Sequence, residues 1–317
     1  MKKPKWTRKL KVLFWLVFAV GLLWVFYAPH THRASLSPRT VITVKVAQSP
    51  PPSLRQDDPP PTRQQEDFEE PPSPQKQQGS ITVPVSPEPV APLPAGQPVR
   101  IALVIDDMGA DMRSSEKAIL LPQSVTLSFL PFAPRTREQA KIARERGHEV
   151  LLHMPMEPRG HESPGNGALM VDLPLAELQA RLETALASFT GFDGINNHMG
   201  SKFTAYAEGM EMVIDALKER NLFFLDSRTS GQTVGLKIAQ AKGLPAISRD
   251  VFLDDDPSPA AVRRQLETAE RVARRKGRAV AIGHPHHATI DAIEAWVPGA
   301  TARGIELVPV NHLVGQP

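Results

Sequence analysis

Acids and histidines recur where short apolar runs of this 317-residue sequence end. Asp106 and Asp107 close the run from Ile101, His153 lies in EVLLHM, His198 in GINNHM and Asp226 in LFFLDS. Asp254 follows ISRDVFL directly, and His284 ends AVAIGH. Singly, each has an ordinary explanation as a turn, a helix cap or a structural imidazole. Together, at successive strand ends, they point to one shared site. Carboxylates with imidazoles are the ligand set of an open divalent-metal centre, in which water keeps one position. Such an ion lowers the pKa of water and polarises a carbonyl oxygen. A second carboxylate can take the water's proton, and a separate His can protonate a leaving group. Neighbouring residues at a strand end point in different directions, so Asp106 and Asp107 can divide into base and ligand. The chemistry is metal-assisted hydrolysis of an amide or ester. The chain has no Cys, which removes disulfides, thiolate metal sites and thiol nucleophiles together.

The elements that must position these residues lie beyond residue 98. Strands are expected at 101–106, 125–130, 149–154, 194–199, 222–227, 247–253, 279–284 and 305–310, with helices among the intervening segments at 135–146, 174–189, 207–220 and 258–276. Repeated strand–helix alternation implies parallel strands with helical crossovers. No glycine-rich fingerprint follows the first strand, only IDDMG, which disfavours a dinucleotide-binding sheet. An incomplete or distorted (β/α) barrel is expected. The strand ends of such a barrel share one face, and that face carries the active site.

The stretches IALVIDDMG (101–109), GHEVLLHMPMEP (147–158), GINNHMGSKFT (194–204), FFLDSRTS (223–230), DVFLDDD (250–256) and AVAIGHPHHATI (279–290) resemble the polysaccharide deacetylase superfamily. They are closest to its divergent, YibQ-type branch in bacteria, and the resemblance covers essentially all of 99–317. It implies an incomplete barrel, a divalent metal with zinc the first candidate, and removal of acyl groups from N-acetylated sugars of a polysaccharide or peptidoglycan-like glycan. By the same resemblance, Asp106 matches the catalytic base, Asp107 a metal ligand, His153 the first His of the His-x-x-x-His motif, Asp226 the acid that supports the base, and His284 the general acid. The motif's second His should fall at 157, where this chain has Glu157. The expected ligands are therefore Asp107, His153 and His198, with Glu157 as the alternative to His198. The Arg-x-Pro-Tyr motif of ordinary deacetylases is replaced by NNHMGSKF. These departures keep a second reading open, a barrel that binds wall glycan or a wall-remodelling or division protein without turnover. A metal-dependent amidase acting on peptide cross-links would use the same residues.

Asn196 and Asn197 could donate to a sugar or acyl oxygen or shape the loop before His198, and Asp254 and His286 are further candidates for substrate contact. Asp254–Asp256 also read as acids at a helix N-terminus, and RVARRKGR (271–278) as a basic helix end that complements the helix dipole. The Gly-rich loop 160–169 is expected to form a lip of the barrel mouth.

The formal net charge of +3 is not a nucleic-acid signal, because residues 1–11 alone carry +6, residues 29–98 carry −1 and residues 99–317 carry −2. A basic nucleic-acid-binding domain would hold its own surplus. Val12 to Ala28 is an uncharged, almost wholly apolar run of 17 residues behind that basic stub. At 1.5 Å per residue it spans about 25–28 Å, near the short end of what crosses a bilayer. With no clear small-residue cleavage site after it, residues 1–28 are expected to form an uncleaved anchor in a bacterial inner membrane, N-terminus in the cytoplasm and the bulk of the chain in the periplasm. Residues 29–98 hold 17 of the 32 prolines and are expected to be a disordered tether. Residues 99–317 are then the catalytic domain.

Overall fold

The computed structural model describes residues 98–315. The expected membrane anchor and almost all of the expected tether lie outside the described residues. Among the described residues, no helix is long and apolar enough to cross a membrane.

Among the described residues, nine strands form one parallel sheet: β1 (Val99–Met108), β2 (Thr126–Phe129), β3 (Val150–Met156), β4 (Gly194–Met199), β5 (Phe223–Asp226), β6 (Ala246–Ser248), β7 (Val251–Phe252), β8 (Arg278–Gly283) and β9 (Ile305–Leu307). Their spatial order is β6-β5-β4-β3-β2-β1-β8-β7, with β9 added on β1. Seven helices connect and cover them: α1 (Met112–Ala118), α2 (Thr136–Glu145), α3 (Leu175–Leu186), α4 (Ala207–Glu219), α5 (Gly235–Ala241), α6 (Pro259–Lys276) and α7 (His287–Ala302). Helix boundaries follow local chemistry. Ser258 caps α6 by accepting from the Ala261 N–H, Pro259 occupies its first turn, and Gly277 ends it at φ 84°, where a left-handed residue is needed. The basic end of α6 lies on the surface as expected, with Arg274 paired to Glu270.

The expected strand 247–253 is split. β6 pairs with β5, and two residues later β7 pairs with β8. The crossing is made at Arg249, whose N–H bonds to Asp226 O, and at Asp250, whose N–H bonds to Val280 O. One segment therefore ties both edges of the curled sheet together, which makes the barrel distorted rather than evenly closed. The last expected strand also stops early. Val308 still donates to Ile101 O, but Pro309 has no N–H to give, and a 3-10 turn (Val310–His312) follows.

Side-chain alternation sorts the strands into two faces. Ile101, Leu103 and Ile105 join the apolar cluster under the helices, together with Leu152, Ile195 and Phe224. Ala102 and Val104 face the other way, into an inner cluster with Leu151, Leu225, Val280, Ile282 and Val310. On this inner face the next residues along the strands are Asp106, His153, Asn196, Ser227 and His284. The barrel interior is thus apolar in the middle and polar at the mouth.

The floor is polar as well. Glu149, two residues before Leu151, is buried there and accepts from Thr126 Oγ1 (2.8 Å) and the Asn311 N–H (3.1 Å). Burial pushes its pKa from the ordinary 4.5 up to about 7, against the pull of those donors. Between these values the folded state binds more protons than the unfolded one, so stability falls as pH rises across the window and levels off above it. We expect wild type to lose up to about 3 kcal/mol between pH 4.5 and 7 through this group, and Glu149→Gln to flatten that slope. Parallel urea titrations of both proteins across the window test it; identical slopes would refute it.

Candidate active site

The mouth of the barrel is organised by the side chain of Asn196 on β4, which is fully buried. Its Oδ1 accepts from Ser128 Oγ and from His153 Nδ1 (2.9 Å). Its Nδ2 donates to both oxygens of Asp106 (2.8 and 3.0 Å) and to Ser227 Oγ (3.1 Å). The amide cannot be reversed, since its oxygen would then face a carboxylate. His153 Nδ1 must therefore carry a proton, so in the neutral ring it is the Nε2 lone pair that faces the mouth. Burial lowers the pKa of this imidazole, but the Asp106 charge and the Asp107 bond outweigh it and shift it upward.

Asp106 lies on the inner face by register. Asp107, one residue on, would point outward in a regular strand. It does not, because the β1–β2 register shifts between Ile105 and Met108 and Asp107 takes φ 55°. This left-handed bulge turns both carboxylates toward the mouth, at a strain of about 1–3 kcal/mol typical of functional positions. Asp107 Oδ1 then lies 2.8 Å from His198 Nδ1 and 3.2 Å from His153 Nε2, and the two ring nitrogens are 3.3 Å apart. Although these distances are short, Asp107 Oδ1 is buried with no properly directed hydrogen bond. Three donor atoms converging on one point, one of them an orphaned carboxylate oxygen, fit a divalent cation. Tetrahedral ligands at 2.0–2.1 Å from zinc stand about 3.3 Å from one another. Burial raises the pKa of Asp107, but the facing imidazoles outweigh it and hold the carboxyl well below the usual range. Asp106 is shifted the other way, upward, with burial the dominant cause.

His284 forms the far wall. Asp254 Oδ1 faces its Nδ1 at 3.0 Å, while Asp254 Oδ2 accepts from the His284 N–H (2.6 Å) and from Thr289 Oγ1 (2.7 Å). Burial lowers the pKa of His284, yet the Asp254 bond and charge, with Asp106 and Asp107 beyond, push it up to about 9. Its Nε2 lies 3.9 Å from Asp107 Oδ2, so a protonated imidazole faces the convergent cluster.

Several expected residues sit elsewhere. Glu157 is not among the convergent atoms; its oxygens pair with Lys202 Nζ (2.6 Å) and the Val171 N–H (2.6 Å), which tethers the loop after β3. Asp226 does not reach Asp106. It falls on the outward side of β5 and accepts from the Arg228 N–H (2.9 Å) and Thr233 Oγ1 (2.7 Å). Asn196 is fully buried and fully bonded, out of a substrate's reach, whereas Asp254 lines a cavity at the mouth with its oxygens engaged by His284 and Thr289. Asn197 accepts the Ser227 N–H through Oδ1 and gives its Nδ2 to Met199 O, bracing the β4 and β5 ends beside the mouth. His286 is exposed, at the start of α7, with its ring 5.9 Å from that of His284. Arg249 and Phe252 carried no expectation and yet face the mouth. Arg249 lies over the Phe252 ring at 5.1 Å, and Phe252 meets His284 edge-on at 5.5 Å. Neither stands out in sequence, because an Arg in an Arg-rich chain and a Phe in an apolar run carry no spacing signal. Two adjoining cavities of about 430 and 500 Å³ open here and share Asp107, Phe252, Asp255 and His284.

Comparison with known proteins agrees with this geometry. The family described as divergent polysaccharide deacetylase matches residues 103–314. The chain is 38% identical over 218 residues to the uncharacterised protein YibQ of Escherichia coli K12, covering 69% of this chain and 68% of that one. It is 38% identical over 214 residues to an uncharacterised Haemophilus influenzae protein, covering 68% and 76%. A solved structure of an uncharacterised protein from Agrobacterium tumefaciens C58 superposes with TM-score 0.67 at 35% identity, over 70% of this chain and 92% of that one.

Replacing Asn196 by Leu would leave Asp106, His153, Ser128 and Ser227 short of a partner in a buried place. At about 1–3 kcal/mol for each orphaned group, Asn196→Leu should destabilise the fold by at least about 3 kcal/mol. A urea midpoint close to that of wild type would show that the amide is not the hub described.

Proposed function

This chain belongs to the divergent polysaccharide deacetylase family, and on that premise we propose that its folded domain is a metal-dependent hydrolase removing acyl groups from an N-acetylated glycan. The observation that carries the reading is the convergence of Asp107 Oδ1, His153 Nε2 and His198 Nδ1 within 2.8–3.3 Å of one another, beside Asp106 and His284. These three residues would hold a divalent ion, with zinc the first candidate from its nitrogen–oxygen donor set. Bound there, the ion would supply Lewis-acid polarisation of the acyl carbonyl and acidify water. Asp106 takes the proton of the attacking water. Asn196 fixes both of its oxygens, and burial raises its proton affinity, which suits a general base. His284, kept protonated by Asp254, donates from Nε2 to the departing amine as the C–N bond breaks. The products are a carboxylic acid, acetate where the acyl group is acetyl, and a free amino sugar. The missing second histidine of the family motif does not cost the site a ligand, because His198 stands in its place.

We place the domain in the periplasm, anchored to the inner membrane by residues 1–28 and tethered by residues 29–98. The basic N-terminal flank and the following 17 apolar residues support this reading.

Full-length protein in detergent should bind about one zinc ion, held by Asp107, His153 and His198. His153→Ala should abolish that binding. Asp106→Asn should keep the ion and lose at least about 100-fold in acetate release from N-acetylglucosamine oligomers. Full zinc occupancy in His153→Ala would remove the ligand assignment, and undiminished turnover in Asp106→Asn would remove the base.

In fractionated cells, deleting residues 1–28 should move the protein out of the membrane pellet. Retention in the pellet would count against the anchor.

A further inference from the structure

The larger share of the charge in the 430 Å³ cavity belongs to the site already described, but two guanidinium groups on its wall have no such role. Arg228 and Arg249 both line it, together with Asp106, Asp107, His153 and His198. Neither forms an ion pair with a carboxylate among the described residues, although Asp255 shares the same rim.

Their placement is built. Asp226, buried below, holds the Arg228 N–H at 2.9 Å and so supports a left-handed backbone at φ 48° that an Arg adopts only under constraint. Arg249 Nε donates to Ser227 O (2.6 Å) and its Nη2 to Arg228 O (2.9 Å), which locks the guanidinium plane over Phe252. These bonds use one N–H on each of two nitrogens, and Nη1 keeps both of its donors. The Arg228 side chain is exposed and has no hydrogen-bond partner in the described structure. Burial, and then the like charge of Arg228, pull Arg249 below the usual guanidinium range despite the pull of Asp106, Asp226 and Asp250. One fork of donors held in place at Arg249 and a second, unpaired guanidinium at Arg228 on the same wall offer the donor set that an oxyanion takes.

We propose that Arg228 and Arg249 form an oxyanion-recognition site beside the hydrolytic centre, so that the preferred substrate is an acidic N-acetylated glycan rather than a neutral one. The inference rests on the hydrolase reading above and names its substrate class. The oxyanion is a carboxylate or a phosphate carried by a sugar next to the scissile amide. In this reading Asp226 is a positioning residue, acting through the backbone of Arg228.

Three tetrasaccharide probes separate the possibilities: neutral N-acetylglucosamine units, the same length with alternate lactyl ether carboxylates, and the same length with one 6-phosphate. Their Kd is measured calorimetrically on zinc-loaded full-length Asp106→Asn, and acetate release on full-length wild type. At least one anionic probe should bind 10-fold or more tighter than the neutral one, and the stronger of the two identifies the oxyanion. Adding Arg228→Gln, or separately Arg249→Gln, should bring that ratio to within threefold, and raising salt should shrink it. Arg228 is exposed, so its variant keeps the test valid if Arg249→Gln unfolds. Equal Kd for all three probes, no binding of any, or a preference that survives Arg228→Gln overturns the site. Failure of the hydrolase reading looks different: anionic probes bind tightly and no acetate appears from any of them.

Discussion

One buried amide sets the conditions for everything at the mouth of this barrel. In the roles proposed for them, Asp106 and His153 need opposite things from a neighbour. A general base must have both oxygens held by donors, whereas a ligating imidazole must have its remote nitrogen held by an acceptor so that the near one keeps its lone pair. Asn196 does both, because the two ends of an amide differ in polarity and lie about 2.3 Å apart on one rigid plane. An Asp at 196 would oppose Asp106, and a Ser would reach one partner only. Ser128 and Ser227 complete the amide's remaining valences, so no part of the network is left half satisfied, the case in which a buried polar cluster costs more than an apolar one.

The network can be this polar because of what lies beneath it. The inward column along β3, begun by Glu149 just before the strand, continues through Leu151 to His153, and that of β1 runs Ala102, Val104, Asp106. The middle layer is apolar in both and merges into the inner cluster. It keeps water from reaching the centre from below, which is why burial dominates the upward shift of Asp106. The same period of two makes Asp107 the exception that the site requires. Its side chain belongs to the helix face by count and reaches the mouth only through the bulge, so the strain at φ 55° is tied directly to bringing two carboxylates adjacent in sequence to one mouth.

The strand–helix alternation and the ring of strand-end acids and histidines were legible, because apolar runs broken by such residues leave a periodic trace. Parity was not. The strands are covered on both faces, so FFLD is apolar at every position but the last, and nothing in it marks 223 and 225 as inward and 226 as outward. That is how Asp226 came to be expected beside the base. The split of 247–253 was hidden for a related reason, since a strand that pairs first with one sheet edge and then with the other has the composition of a single strand. Asn196 could be seen but not ranked, as a neutral amide has no motif of its own. Lys202 claimed Glu157 across 45 residues of sequence, a pairing that only the loop after β3 brings about.

The exchange of a histidine at 157 for one at 198 changes what holds the cluster rigid. A ligand four residues after His153 would stand past the end of β3 and depend on a loop for its position. His198 instead pairs across the ladder with Pro155, and His153 with Asn196, so the two imidazoles are diagonal neighbours on adjacent strands. Their side chains meet across the two strands, His198 Nδ1 lying 3.3 Å from His153 Nε2. The sheet's hydrogen bonds then fix their separation, which is a firmer constraint than a loop gives. Position 157 serves the loop, where its carboxylate gathers Lys202 and the 171 amide and closes the segment that leaves the mouth. Substitution of the family's second histidine is therefore compatible with a complete ligand set, provided the β3–β4 register is kept, and the register is enforced by six consecutive residue pairs from Leu151–Gly194 to Met156–Met199.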